Sequence, residues 1–158
     1  MDMKNADEWF AEYGKSHQHP VNKVIHWICV PLIFWSIVAI LWALPAPDAM
    51  QSWPGPMNWA VVASLLILAW YFVMNRVLAV GMLFFTAICL WIAWLVDVFA
   101  GWPLWIIAVI VFAAAWAGQF YGHHLEGRKP SFFKDLQFLL IGPAWLLGFV
   151  YRRFGINY

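Results

Sequence analysis

Charge is scarce in this sequence. Only 11% of its 158 residues are Asp, Glu, Lys or Arg, while 65% are hydrophobic. Soluble domains carry about 25% charged and about 45–50% apolar residues, so a soluble globular class is excluded and a membrane protein is implied. The net charge is +1, which gives no basis for a nucleic-acid surface. Cysteine is nearly absent. Cys29 and Cys89 both lie within apolar runs, match no metal or redox spacing, and read as buried inert thiols. No Ser-His-Asp or Cys-His arrangement stands out, and there is no Gly-rich phosphate loop, internal repeat or soluble second domain. A cleavable signal peptide is not expected, because the first apolar run starts late and lacks a small-residue cleavage pattern.

What is abundant is apolar length. Four runs, at 24–44, 57–74, 77–96 and 103–121, each approach the roughly 20 residues that span about 30 Å of hydrocarbon. They must be helices, since an open sheet would leave backbone groups unpaired in lipid. Turn-forming residues separate them: Pro45 to Asp48, Trp53 to Pro56, Asn75-Arg76 and Ala100 to Pro103. The 13 Trp residues suit helix packing and the headgroup level. Residues 1–16 predict a short surface helix, with Asn5 and Glu8 spaced as a capping box and Trp9, Phe10 and Tyr13 on its aromatic side. A fifth run, Leu136 to Val150, is short, flanked by cations and interrupted by Gly142-Pro143. It predicts a re-entrant or interfacial helical hairpin.

Every Lys and Arg lies at Lys4, Lys15, Lys23, Arg76, Arg128, Lys129, Lys134, Arg152 or Arg153, and none lies in 45–56 or 97–102. Four crossings with both termini in the cytoplasm place all nine cations on the favoured side. The expectation is an all-α integral membrane protein of one domain. Residues 1–23 form a cytoplasmic surface segment, 24–121 a four-span bundle, and 122–158 a cytoplasmic loop and tail. The membrane is the inner membrane if the source is bacterial and the endoplasmic reticulum if it is eukaryotic.

The histidines gather at two places only. The first is His17-Gln-His-Pro-Val-Asn-Lys-Val-Ile-His26, and the second is Gln119-Phe-Tyr-Gly-His-His-Leu-Glu126. Pro20 suits the first turn of a helix, which puts Asn22 and His26 on one face. On the last span, Trp116, Gln119, His123 and Glu126 form one stripe, while His124 turns about 100° away. The first cluster opens span one and the second closes span four, so the topology brings all five histidines to one surface. Neutral imidazoles there suit Fe, Zn, Cu or Ni. Glu126 is a ligand, a holder of a ligand's other N–H, or a partner of Arg128 or Lys129; Asn22 offers the same support to His26. Asp97 lies at the far end of span three. The histidine-rich boxes of membrane di-iron enzymes need more imidazoles than these five, so one ion is the natural capacity.

These motifs carry a resemblance. Tyr13-Gly-Lys-Ser-His17, Asn22, Ile25-His26 with Pro31, Gln119-Phe-Tyr-Gly-His123 and Glu126-Gly-Arg-Lys-Pro130 together resemble the membrane 2-hydroxy fatty acid dioxygenase family. Its members include an enzyme that helps convert phytosphingosine to odd-numbered fatty acids. The likeness runs over nearly the whole chain. It implies Fe(II) on His17, His26 and His123, with Asn22 and Glu126 as supporting residues and Glu126 in the catalytic set. His19 and His124 depart from the family pattern, which leaves a fourth-ligand role open to His19. The implied reaction is α-oxidation: with molecular oxygen, a 2-hydroxy fatty acid loses its carboxyl carbon. Arg128 and Lys129 are placed to attract the substrate carboxylate. Two other readings stand beside it, a b-type haem carrier using two of the histidines and a non-catalytic metal-binding membrane scaffold.

Overall fold

The structure is a computed structural model that describes residues 6–15, 17–52, 57–127 and 138–158. All its regular elements are helices: α1 (Ala6–Gly14), α2 (Pro20–Ala43), α3 (Asp48–Gln51), α4 (Trp59–Met74), α5 (Arg76–Phe99), α6 (Leu104–Leu125) and α7 (Ile141–Arg153). Three of them, α2, α5 and α6, are long and apolar enough to cross a membrane, and α4 is a shorter apolar helix of 16 residues. At 1.5 Å per residue α4 spans about 24 Å, short of the hydrocarbon thickness. Large apolar side chains face outward along the bundle, among them Leu66, Val73, Phe84, Trp91 and Ile110. Lipid is the solvent in which such a surface is stable.

Local chemistry sets the ends of the helices. His19 caps α2, its Nδ1 accepting from the Val21 amide at 3.2 Å, and Pro20 follows at the first helical position. Asn75 serves two helices. Its N–H closes α4 on the Tyr71 carbonyl, and its Oδ1 accepts from Val77 and Leu78 to open α5. The expected turn at 75–76 is therefore a shared cap. Gly127, at φ 70°, supplies the left-handed residue just past α6.

α2 is the central element, with α6, α5, α4 and α7 all packed on it. It runs antiparallel to α6, so the start of α2 meets the end of α6. At the opposite end Trp42 Nε1 donates to Asp97 at 3.3 Å, which places Asp97 remote from the histidines. Gly118 and Gly122 let α2 and α6 approach closely. A Cβ on Gly118 would lie 2.7 Å from Cys29 Sγ, and one on Gly122 would collide with Asn22 Oδ1.

The two ends of the chain differ from their simplest reading. α1 does not lie only against lipid: Phe10 and Tyr13 are buried in one cluster with Ile141, Ala144 and Trp145 of α7. The Asn5 capping box falls outside the described residues. Gly142 and Pro143 do not interrupt the tail helix; they form the first turn of α7, where proline costs no hydrogen bond. Gly142 is also tight, since a Cβ there would sit 3.1 Å from Val30 and 3.2 Å from the Tyr13 hydroxyl. At 13 residues, α7 extends about 20 Å and cannot cross the bilayer alone. The first arm of the expected hairpin, Leu136 to the break at Gly142, is not a helix over its described part: residues 138–140 form a turn that leads into α7, and 136–137 lie outside the described residues.

Candidate metal centre

Three buried imidazoles converge where α1, α2 and α6 meet. His17 lies on the lead-in to α2, His26 on the second turn of α2, and His123 in the last turn of α6. They are 2%, 1% and 5% exposed. One ring nitrogen from each lies within 4.8 Å of the others. The closest pair is His17 Nε2 and His26 Nε2, 2.8 Å apart.

The outer nitrogens explain what faces inward. His17 Nδ1 is 2.7 Å from the Tyr13 carbonyl, and His26 Nδ1 is 2.8 Å from the Asn22 carbonyl. A carbonyl can only accept, so both Nδ1 atoms donate. In the neutral rings both Nε2 atoms then carry bare lone pairs, pointed at each other across 2.8 Å. Such a pair is favourable only with a proton or a cation between the nitrogens. Holding the remote N–H on a carbonyl is the usual way to fix a ligating imidazole. A metal–imidazole bond of about 2.1 Å sets two ligands at right angles about 3 Å apart, close to the observed spacing. The residues fit a single transition-metal ion bound by neutral nitrogen.

Aromatic rings wall the site. Tyr13 stacks on His17 with centroids 4.1 Å apart, and Trp145 of α7 lies 5.5 Å from the same ring. The three imidazole centroids are separated by 4.1, 5.2 and 5.4 Å. That leaves no room for a macrocycle between any two, which weighs against the haem reading.

Glu126 closes the site from outside. Its Oε1 accepts from the Gln18 amide at 2.7 Å, and its Oε2 accepts from the His19 amide at 2.9 Å and from Asn22 Nδ2 at 3.0 Å. The carboxylate thus ties the lead-in of α2 to the end of α6. Burial pushes its carboxyl up, but the donors from His19, Asn22 and Gln18 outweigh that and hold it below the usual carboxylate range. Asn22 supports His26 through its backbone carbonyl, while its side chain serves Glu126. His19 is occupied as the α2 cap, and His124 is exposed. Arg128 and Lys129 lie outside the described residues.

Some contributors leave little trace in composition. The Tyr13 carbonyl and the Trp145 ring act through position alone. Gly118 and Gly122, in contrast, spell a G-x-x-x-G pattern within an apolar helix, a signal of close helix packing.

A small cavity of about 30 Å³ opens beside His26, lined among others by Tyr13, Val30, Ile33, Gln119 and Leu139. A larger apolar cleft of about 160 Å³ lies between α2, α5 and α7, bounded by Trp27, Pro31, Phe85 and Pro143.

Compared with known protein families, the chain matches the model described as Mpo1-like, 2-hydroxy-palmitic acid dioxygenase Mpo1-like, over residues 3–154. Among curated proteins and solved structures nothing matches it.

Proposed function

Since the chain belongs to this Mpo1-like family, we propose that it is an Fe(II)-dependent dioxygenase that converts 2-hydroxy fatty acids to acids one carbon shorter. The observation that carries the reading is the convergence of three buried imidazoles, two with their lone pairs turned inward by backbone carbonyls. With one molecule of oxygen per substrate, the shorter acid, carbon dioxide and water balance atoms and electrons without a further reductant. Iron bound by His17, His26 and His123 would supply the redox centre and the Lewis acid for this chemistry.

The residues of the chain have separable tasks. The carbonyls of Tyr13 and Asn22 fix the tautomer and orientation of His17 and His26. Glu126 holds the lead-in to α2 against α6, so that His17 stays beside His123. Tyr13 and Trp145 exclude water from one side of the imidazoles. Arg128 and Lys129 draw the anionic head of the substrate toward the surface. Four crossings with both termini in the cytoplasm are supported by the distribution of cations, and they bring a lipid-borne acid to a site at the membrane surface. The apolar chain of the acid stays in the bilayer or against the bundle.

Protein purified without chelators is expected to carry about one iron per chain and to consume oxygen with 2-hydroxypalmitate. His26→Ala and His123→Ala should each lose both properties. Full turnover in either variant would overturn the assignment. Zinc or no metal, with no turnover, would instead favour the scaffold reading, and a Soret band would favour the haem carrier.

A further inference from the structure

Gln119 is 5% exposed, on the α6 face that carries His123 one turn later. Among the described residues its carboxamide has no hydrogen-bond partner, and it lines the cavity beside His26. Its amide is not one of the fully enclosed unpaired polar atoms; it opens onto the cavity, where a ligand can supply its partner. Of the other lining groups, His26 Nδ1 is committed to the Asn22 carbonyl, Val30, Ile33 and Leu139 are apolar, and the Tyr13 hydroxyl and the Trp116 indole are the further polar groups.

We propose that Gln119 seats the substrate carboxylate, its Nε2–H donating to a carboxylate oxygen in the cavity beside His26. The inference rests on the reading above that this site takes 2-hydroxy fatty acids. An anion entering an apolar recess needs a hydrogen-bond donor, and the Gln119 amide is one that brings no charge of its own. The volume agrees: about 30 Å³ admits a group of carboxylate size but not a palmitoyl chain. The acid therefore enters head first, with its tail left outside this recess.

Anaerobic titration calorimetry on the detergent-solubilised, iron-loaded protein tests this, with 2-hydroxypalmitate and the uncharged hexadecane-1,2-diol as probes. Gln119→Leu should weaken the acid about 10- to 100-fold, the loss expected for a hydrogen bond to a charged group. It should leave the diol within about threefold and the iron content unchanged. Gln119→Glu, which keeps an acceptor and adds a like charge, should weaken the acid at least as much, and Gln119→Asn should fall between. Wild-type affinity for the acid in Gln119→Leu would overturn the proposal. So would equal loss of both probes, which marks a structural role, or wild-type affinity in Gln119→Glu, which marks an acceptor. If the wild-type protein binds neither probe, the dioxygenase reading itself fails, an outcome separate from these.

Discussion

At the scale of single residues, the site is set by what occupies the back of each imidazole. Two Nδ1–H groups held on carbonyls leave two Nε2 atoms 2.8 Å apart, and the sequence does not show this, because a backbone carbonyl has no residue identity. The histidines themselves were legible, since the chain has only five and they fall in two clusters. The helix period already turned His124 away and the resemblance singled out His17, His26 and His123; what the sequence left open was His19, which the structure shows on a helix cap. Glu126 was legible as a partner of the site but not as a clasp, because its donors include the backbone amides of Gln18 and His19. The clasp has a pH signature. Its folded pKa is lowered, so its stabilisation is complete above the ordinary value of about 4.3 and is lost as pH falls through the folded value. Glu126→Gln should lower stability by about 1 kcal/mol near neutrality, the low end for charge-assisted bonds because the carboxylate is part-exposed and screened. In denaturant titrations, the gap between wild type and variant should narrow as pH falls below the ordinary carboxylate value and close once it passes the lowered folded value. A gap that persists there would show that the charge does not matter.

Between elements, the decisive contact is α2 on α6. Run lengths alone predicted both helices to within about four residues at either end, because apolar length is a direct record of hydrocarbon thickness. The helices extend past the apolar runs at the site end, α2 from Pro20 and α6 to Leu125, as the first-turn proline and the helical stripe from Trp116 to Glu126 indicated. The docking of α1 on α7 was not legible, since Phe10 and Tyr13 look the same whether they face lipid or Trp145. Pro143, which reads as a breaker in a linear scan, is instead a first-turn proline. The close approach of α2 and α6 is testable. Gly118→Ala places a Cβ 2.7 Å from Cys29 Sγ and should destabilise by about 1–3 kcal/mol, read as a lower denaturation midpoint. Adding Cys29→Ala removes the obstructing sulfur and should restore part of that loss. If the double variant is no more stable than the single, the contact is not the cause.

For the molecule as a whole, the deciding property is that the chain returns to the face it left. The start of α2 and the end of α6 share one end of the bundle, and Trp42 and Asp97 share the other. The proposed orientation follows from the cations, and impermeant thiol labelling reads it directly. Cys29 and Cys89 are buried and should stay silent. Ser52→Cys should react only from the non-cytoplasmic side and Gly155→Cys only from the cytoplasm. Reaction of both from the same side would break the four-crossing arrangement. Iron should also stabilise the fold through linkage: at 100 times its dissociation constant a ligand adds about 2.7 kcal/mol, so chelation should lower the unfolding midpoint and iron should restore it. The meeting of α2 with the last turn of α6 has a consequence for biosynthesis. His17 and His26 leave the ribosome early, whereas His123 emerges only after most of the polypeptide has been made. A nascent chain halted before α6 can already hold its first helix in the bilayer, yet it lacks the third nitrogen, so loading of the proposed metal would belong to the finished protein.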